Sequence, residues 1–138
     1  MSHERMRVLI STHEFSPYQG SECARGWKVP TIMARFHDVT VVCASGSQQK
    51  PDKYRDDLKR YYQEHGPVPG LTVVFVDQPA ITLLCARINR TLFKAADSVG
   101  FRPLFYFGYN TWHRAAYRKA KELGSENFDL VHQLTPLS

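Results

Sequence analysis

Four short apolar runs, separated by stretches of helical spacing, constrain this chain more than any other feature. They are Arg7–Thr12, with Val8, Leu9 and Ile10 consecutive, then Val39–Cys43, Leu71–Val76 and Phe128–His132. Consecutive apolar residues in so short a run suit a strand covered on both faces, as in a parallel sheet. Between the first two, Ser21–Phe36 spaces Trp27, Ile32, Met33 and Phe36 along a helix, with Ser21 as N-cap and Glu22 favourable in the first turn. Pro30 inside it removes one backbone donor and crowds the carbonyl of Gly26, so a kink is expected. Pro51–His65 predicts a polar surface helix with a narrow stripe of Tyr54, Leu58, Tyr61 and Tyr62, closed at Gly66. Ile81–Ala96 and Asn110–Leu123 predict two more amphipathic helices, the last ending at Gly124. Strands alternating with helices define an α/β class with a parallel sheet and helices on both faces.

A chain of 138 residues suffices for one domain with its own core. A content of 43% hydrophobic and 22% charged residues excludes a disordered composition. Met1-Ser2-His3-Glu4-Arg5 precedes a strand without the apolar core of a signal peptide, and no run of about 18 apolar residues occurs. The expectation is a cytoplasmic protein that is neither secreted by a simple signal peptide nor membrane-spanning. Cys23, Cys43 and Cys85 are odd in number and lack Cys-x-x-Cys spacing, so they read as reduced thiols, two of them in buried elements. The histidines His3, His13, His37, His65, His113 and His132 form no His-x-x-x-His or His-Glu-x-x-His cluster, and no metal site is expected. A net charge of +5 is either an ordinary basic surface or an attraction to anions, such as a nucleotide sugar or an anionic membrane. No RNP, zinc-finger or basic-region motif accompanies it, so nucleic acid is not an expected partner.

The first run leads through His13-Glu14-Phe15-Ser16-Pro17-Tyr18-Gln19-Gly20 into Ser21-Glu22 at the start of a helix. Such a loop gathers unpaired backbone N–H groups and the positive end of the helix dipole, a ready site for an anion. Glycine at position 20 permits close backbone approach. The same turn also suits an ordinary strand-to-helix connection. His13 and Glu14 fall at the carboxyl edge of the sheet, where α/β folds bind ligands; a solvated loop pair is the other reading. His132 ends the fourth run at that same edge, either near the chemistry or as a hydrogen-bonded histidine holding loop geometry. Gly-x-x-x-x-Gly-Lys-Ser/Thr, Gly-x-Gly-x-x-Gly and Gly-x-Ser-x-Gly are all absent, and the second run ends at Cys43-Ala44-Ser45-Gly46 rather than at an acid. A P-loop enzyme, a dinucleotide oxidoreductase and an α/β-hydrolase are therefore disfavoured.

The segment Val8–Trp27, above all Gly20-Ser21-Glu22 followed by Gly26-Trp27, resembles the first strand, loop and helix of the family 4 (GT-B fold) retaining glycosyltransferases. The resemblance covers residues 6–45 and returns at Phe128–Pro136; the middle matches in its order of elements. It implies that residues 1–138 are a Rossmann-like, acceptor-side N-terminal domain, truncated at its C-terminal end. The complete enzyme would transfer a sugar from a nucleotide sugar to an acceptor with retention, and the isolated chain would be inactive. The donor half, with its Glu-x7-Glu pattern, would lie in a C-terminal domain, and no metal or other cofactor is implied. Gly20, Ser21, Glu22, His13 and His132 would bind substrate, with His132 the candidate for a catalytic role. Leu134 departs from the pattern, because the family often carries a polar or histidine residue there. The implied partners are the nucleotide-sugar donor and a sugar or lipid-linked acceptor. Between Pro79 and Tyr109, apolar residues interleave with Arg87, Arg90, Lys94 and Arg102. That stretch reads as packing against the sheet or as peripheral contact at the inner face of the membrane. The alternative from a different class is a non-catalytic α/β domain that uses the same loop to bind a small anion.

Overall fold

The structure, a computed structural model, describes residues 3–47, 49–80, 83, 84, 87, 88, 91 and 105–134, and for 105–111 the backbone alone. Its elements are β1 (Arg7–Thr12), α1 (Glu22–Met33), β2 (Asp38–Ala44), α2 (Lys53–His65), β3 (Leu71–Val76), α3 (Phe105–Leu123) and β4 (Leu130–Leu134). A 3-10 turn, Ser125–Asn127, precedes β4. The strands form one parallel sheet in the order β3-β2-β1-β4. This is an α/β, Rossmann-like fold.

Alternation along the strands sends their apolar residues to two layers. Val8, Ile10, Val39, Val41 and Cys43 meet Trp27 and Ala34 from the α1 side and Leu58 of α2. Leu9, Val42 and Ala44 cluster with Trp112 and Ala116 of α3. Burial of each such aliphatic side chain stabilises the fold by about 1.5–3 kcal/mol. That packing, rather than intrinsic propensity, holds α1, whose sequence includes Gly26 and Pro30. Pro30 is fully buried, and the helix runs through it to Met33. Trp112 is also fully buried, and its indole N–H donates to the Val76 carbonyl at 3.3 Å, tying α3 to the end of β3.

Several sequence expectations shift. Ser21 precedes α1 but makes no side-chain capping bond; its φ of 56° and ψ of −120° turn the backbone away from N-cap geometry. α1 ends at Met33 rather than Phe36, which is exposed. α3 begins at Phe105, five residues before the predicted Asn110. Of the helix expected over Ile81–Ala96, the described residues 83, 84, 87, 88 and 91 are helical. Its other residues, Cys85 among them, and most of the stretch from Pro79 to Tyr109 lie outside the described residues.

The fourth strand is Leu130–Leu134 rather than Phe128–His132. Asp129 sets this entry point. Its carboxylate accepts the Arg7 backbone N–H at 2.8 Å and the Arg7 guanidinium at 3.0 Å, while its own N–H donates to the Arg7 carbonyl at 2.8 Å. Pairing with β1 starts one residue later, at Val8 with Leu130. His132 consequently lies opposite Ile10 within the strand and is exposed, so it does not end the strand as expected.

Candidate functional site

The strands end together at Thr12, Ala44, Val76 and Leu134, and backbone bonds stitch the loops just beyond. Ala44 N–H donates to the His13 carbonyl at 3.2 Å, and Ser45 N–H to the Val76 carbonyl at 3.3 Å. The side chain of Gln78, buried after β3, donates to His13 Nε2 at 2.9 Å and to the Gly46 carbonyl at 3.3 Å. Three loops are thereby locked into one rim. His13 sits edge-on to Trp112, with ring centroids 4.8 Å apart. Burial, helped by nearby His113, pushes the His13 imidazole down to about 4, so at neutral pH it is uncharged.

Thr12, His13, Glu14, Glu22, Arg25 and Leu134 line a small cleft at this edge, between β1, β4 and the start of α1. Gly26 draws α1 against it: a Cβ there would lie 1.9 Å from the Glu14 carbonyl oxygen. Thr12 Oγ1 donates to that same carbonyl at 3.1 Å. Glu22 pairs with Arg25 at 2.9 Å. Burial, and then the charge of Glu22, raise the Glu14 carboxyl above the ordinary carboxylate range. Burial likewise raises the Cys23 thiol beside it. Seven residues separate Glu14 from Glu22, so the Glu-x7-Glu spacing expected of a C-terminal domain occurs in this first loop.

Of the residues singled out from sequence, the structure brings His13, Glu14 and Glu22 into the cleft lining. Gly20 and Ser21 lie just before α1, outside that lining, and His132 lies on the exposed β4 edge. A Cβ added to Gly20 would meet no atom within 4 Å, and its φ is not positive, so the fold itself does not require glycine there. The positive φ belongs instead to Ser21.

The loop between Phe15 and Ser21 is docked on α2 through a polar cluster that the sequence did not reveal. Asp57, 2% exposed, accepts from Ser16 Oγ at 2.7 Å and from Lys53 Nζ at 2.7 Å. One signal did exist: Asp57 falls on the stripe of Tyr54, Leu58 and Tyr61, where a solvated carboxylate is out of place. Gln78, directly after β3, carried no such signal.

The site can chiefly accept and donate hydrogen bonds. At the rim, two carboxylates face one guanidinium, so the field of the α1 N-terminus is largely offset. Among the described residues, no group of three or more metal-ligating side chains occurs. No described helix is long and apolar enough to cross a membrane. Comparison with protein-family models, curated proteins and solved structures finds no match to this chain.

Proposed function

We propose that this chain is the acceptor-side domain of a retaining glycosyltransferase of family 4, and that the cleft beside β1 and α1, of about 10 Å³, receives one hydroxyl group of an acceptor lying over it. The observation that supports this most is the placement of Glu14, Glu22, Arg25 and neutral His13 around one cleft at the carboxyl edge of a parallel sheet. Carboxylates accept hydrogen bonds from hydroxyl groups, whereas a diphosphate placed there would meet two like charges. The rim therefore favours a hydroxyl-rich acceptor, and the donor diphosphate is assigned to a second domain. Gly20 would border the ligand, where a side chain would obstruct it, and His132 keeps a binding role only if the acceptor extends over β4.

A lipid-linked acceptor would bring the domain to an anionic membrane surface, and α3 offers a fitting face. Arg114, Tyr117, Arg118 and Lys121 lie exposed along it, and residues 113–121 contain no acid. The Lys121 ammonium stands 5.1 Å from the Tyr117 ring centroid.

Amide chemical-shift mapping tests the assignment. Titration with simple glycosides should move signals of Thr12–Glu14 and Glu22–Arg25, and nucleotide sugars should move none of them. The reverse pattern would favour the alternative, an anion-binding domain without catalysis.

A further inference from the structure

We infer that Asp57, on α2 and outside the cleft, is the positioning residue of the β1–α1 loop. Ser16 is fully buried, and its hydroxyl donates to Asp57 Oδ2 at 2.7 Å. An ionised carboxylate can only accept, so this bond takes the single hydroxyl proton of Ser16. Both lone pairs of that oxygen then face the loop, where they accept the N–H of Tyr18 at 3.1 Å and of Gln19 at 3.3 Å. The charge on Asp57 thus sets the direction of the hydroxyl, and the hydroxyl shapes the turn.

Two further bonds hold the carboxylate in place. Lys53 Nζ donates to Oδ1 at 2.7 Å, and Gln19 Nε2 donates to Oδ2 at 3.4 Å. Burial by itself would raise the Asp57 carboxyl, but these donors, Lys53 first among them, together outweigh it and hold the group below its ordinary range. At the other end the Ser16 N–H donates to the Cys23 carbonyl at 3.3 Å, closing the loop on the first turn of α1. A loop fixed at both ends can keep Ser21 at its unfavourable φ of 56°. Tyr18 adds a second tether, with its hydroxyl on Glu64 and its ring 4.4 Å from the Arg60 guanidinium carbon. That tether is solvent-exposed and screened, so the buried one dominates.

Hydrogen exchange on residues 1–138 without ligand tests the inference, and its outcome is separate from the glycosyltransferase reading. In Asp57→Ala and in Ser16→Ala, the Tyr18 and Gln19 amides should exchange about tenfold faster, with β1 and β2 amides unchanged. A purely structural role for Asp57 would instead loosen strands and loop together. The double variant should exchange less than the product of the two single effects predicts, because both break the Ser16–Asp57 bond. Asp57→Asn keeps an acceptor and should restore part of the protection. Unchanged protection at Tyr18 and Gln19 in folded Asp57→Ala, or additive effects in the double variant, would overturn the inference. Should Asp57→Ala not fold, ordinary protection at both amides in Ser16→Ala and Asp57→Asn would overturn it equally.

Discussion

The Gln78 side-chain amide donates to His13 Nε2 at 2.9 Å, a buried bond that joins the end of β3 to the end of β1. Gly46 belongs to the same link, since its carbonyl accepts from the same amide nitrogen. A Cβ on Gly46 would lie 2.1 Å from the Lys50 carbonyl, so the loop after β2 has no room for a larger residue. The His13 side of the rim is held by packing and neutral hydrogen bonds, and the pH behaviour of His13 follows from that.

His13 titrates near 4 in the folded protein, against 6.5 when unperturbed. The unfolded chain takes up this proton first, so acid favours unfolding. His13 therefore contributes stability that is complete above about pH 6.5 and is lost as pH falls towards 4, on the order of 3 kcal/mol in all. Urea midpoints measured from pH 7 to pH 4.5 should fall more steeply for the native protein than for His13→Gln. Parallel curves would show that the imidazole is not held neutral. His113, also lowered by burial, acts in the same direction in both proteins.

Gly26→Ala should destabilise the fold by about 3 kcal/mol or more, because the added carbon would collide with the Glu14 backbone. Gly20→Ala should change stability by less than about 0.5 kcal/mol, since nothing lies near it. Thermal melts of the two variants check the contrast. Equal losses would mean that the loop is packed differently.

Ser21→Gly should stabilise the domain by about 1 kcal/mol, as relief of backbone strain exceeds the added chain entropy. Ser21→Ala should cost little, because the hydroxyl makes no capping bond. A loss of about 1 kcal/mol in Ser21→Ala would instead indicate a working N-cap. Denaturant titration separates the two outcomes.

β1, β2 and β3 were legible because strands of a parallel sheet read as unbroken apolar runs, and their observed limits lie within a residue of the expected ones. β4 was harder. Its start is fixed by the bonds of Asp129 to Arg7, 122 residues away in sequence, a contact that no local pattern marks. Ser21 has the chemistry of an N-cap, yet its conformation depends on closure of a loop anchored on Asp57, far along the chain. His13 and Glu22 line the cleft because one follows β1 directly and the other opens α1, positions that the strand-loop-helix pattern marks. Asp57 left one local signal, its place on the apolar stripe of α2, but its partner Ser16 is 41 residues away. Gln78 acts through His13 and Gly46, distant in sequence, which no local pattern encodes.

The exposed basic face of α3 predicts binding to anionic vesicles and none to zwitterionic ones. Each cation near such a surface contributes about 1 kcal/mol, so Arg114→Glu with Arg118→Glu should weaken binding at least about tenfold. Sedimentation with vesicles of phosphatidylserine and phosphatidylcholine provides the measurement. Undiminished binding by the double variant would remove α3 from the contact.

Radiolabel transfer from a panel of nucleotide sugars tests the central claim most directly. Holding donor and acceptor in one orientation can account for roughly 7–11 kcal/mol of barrier reduction, and a single acceptor-side domain cannot supply it. Residues 1–138 alone should show no transfer. Where the reading frame carries a second α/β domain, its product should transfer with retention and lose turnover on Gly20→Val while remaining folded. Robust transfer by residues 1–138 alone would contradict the account.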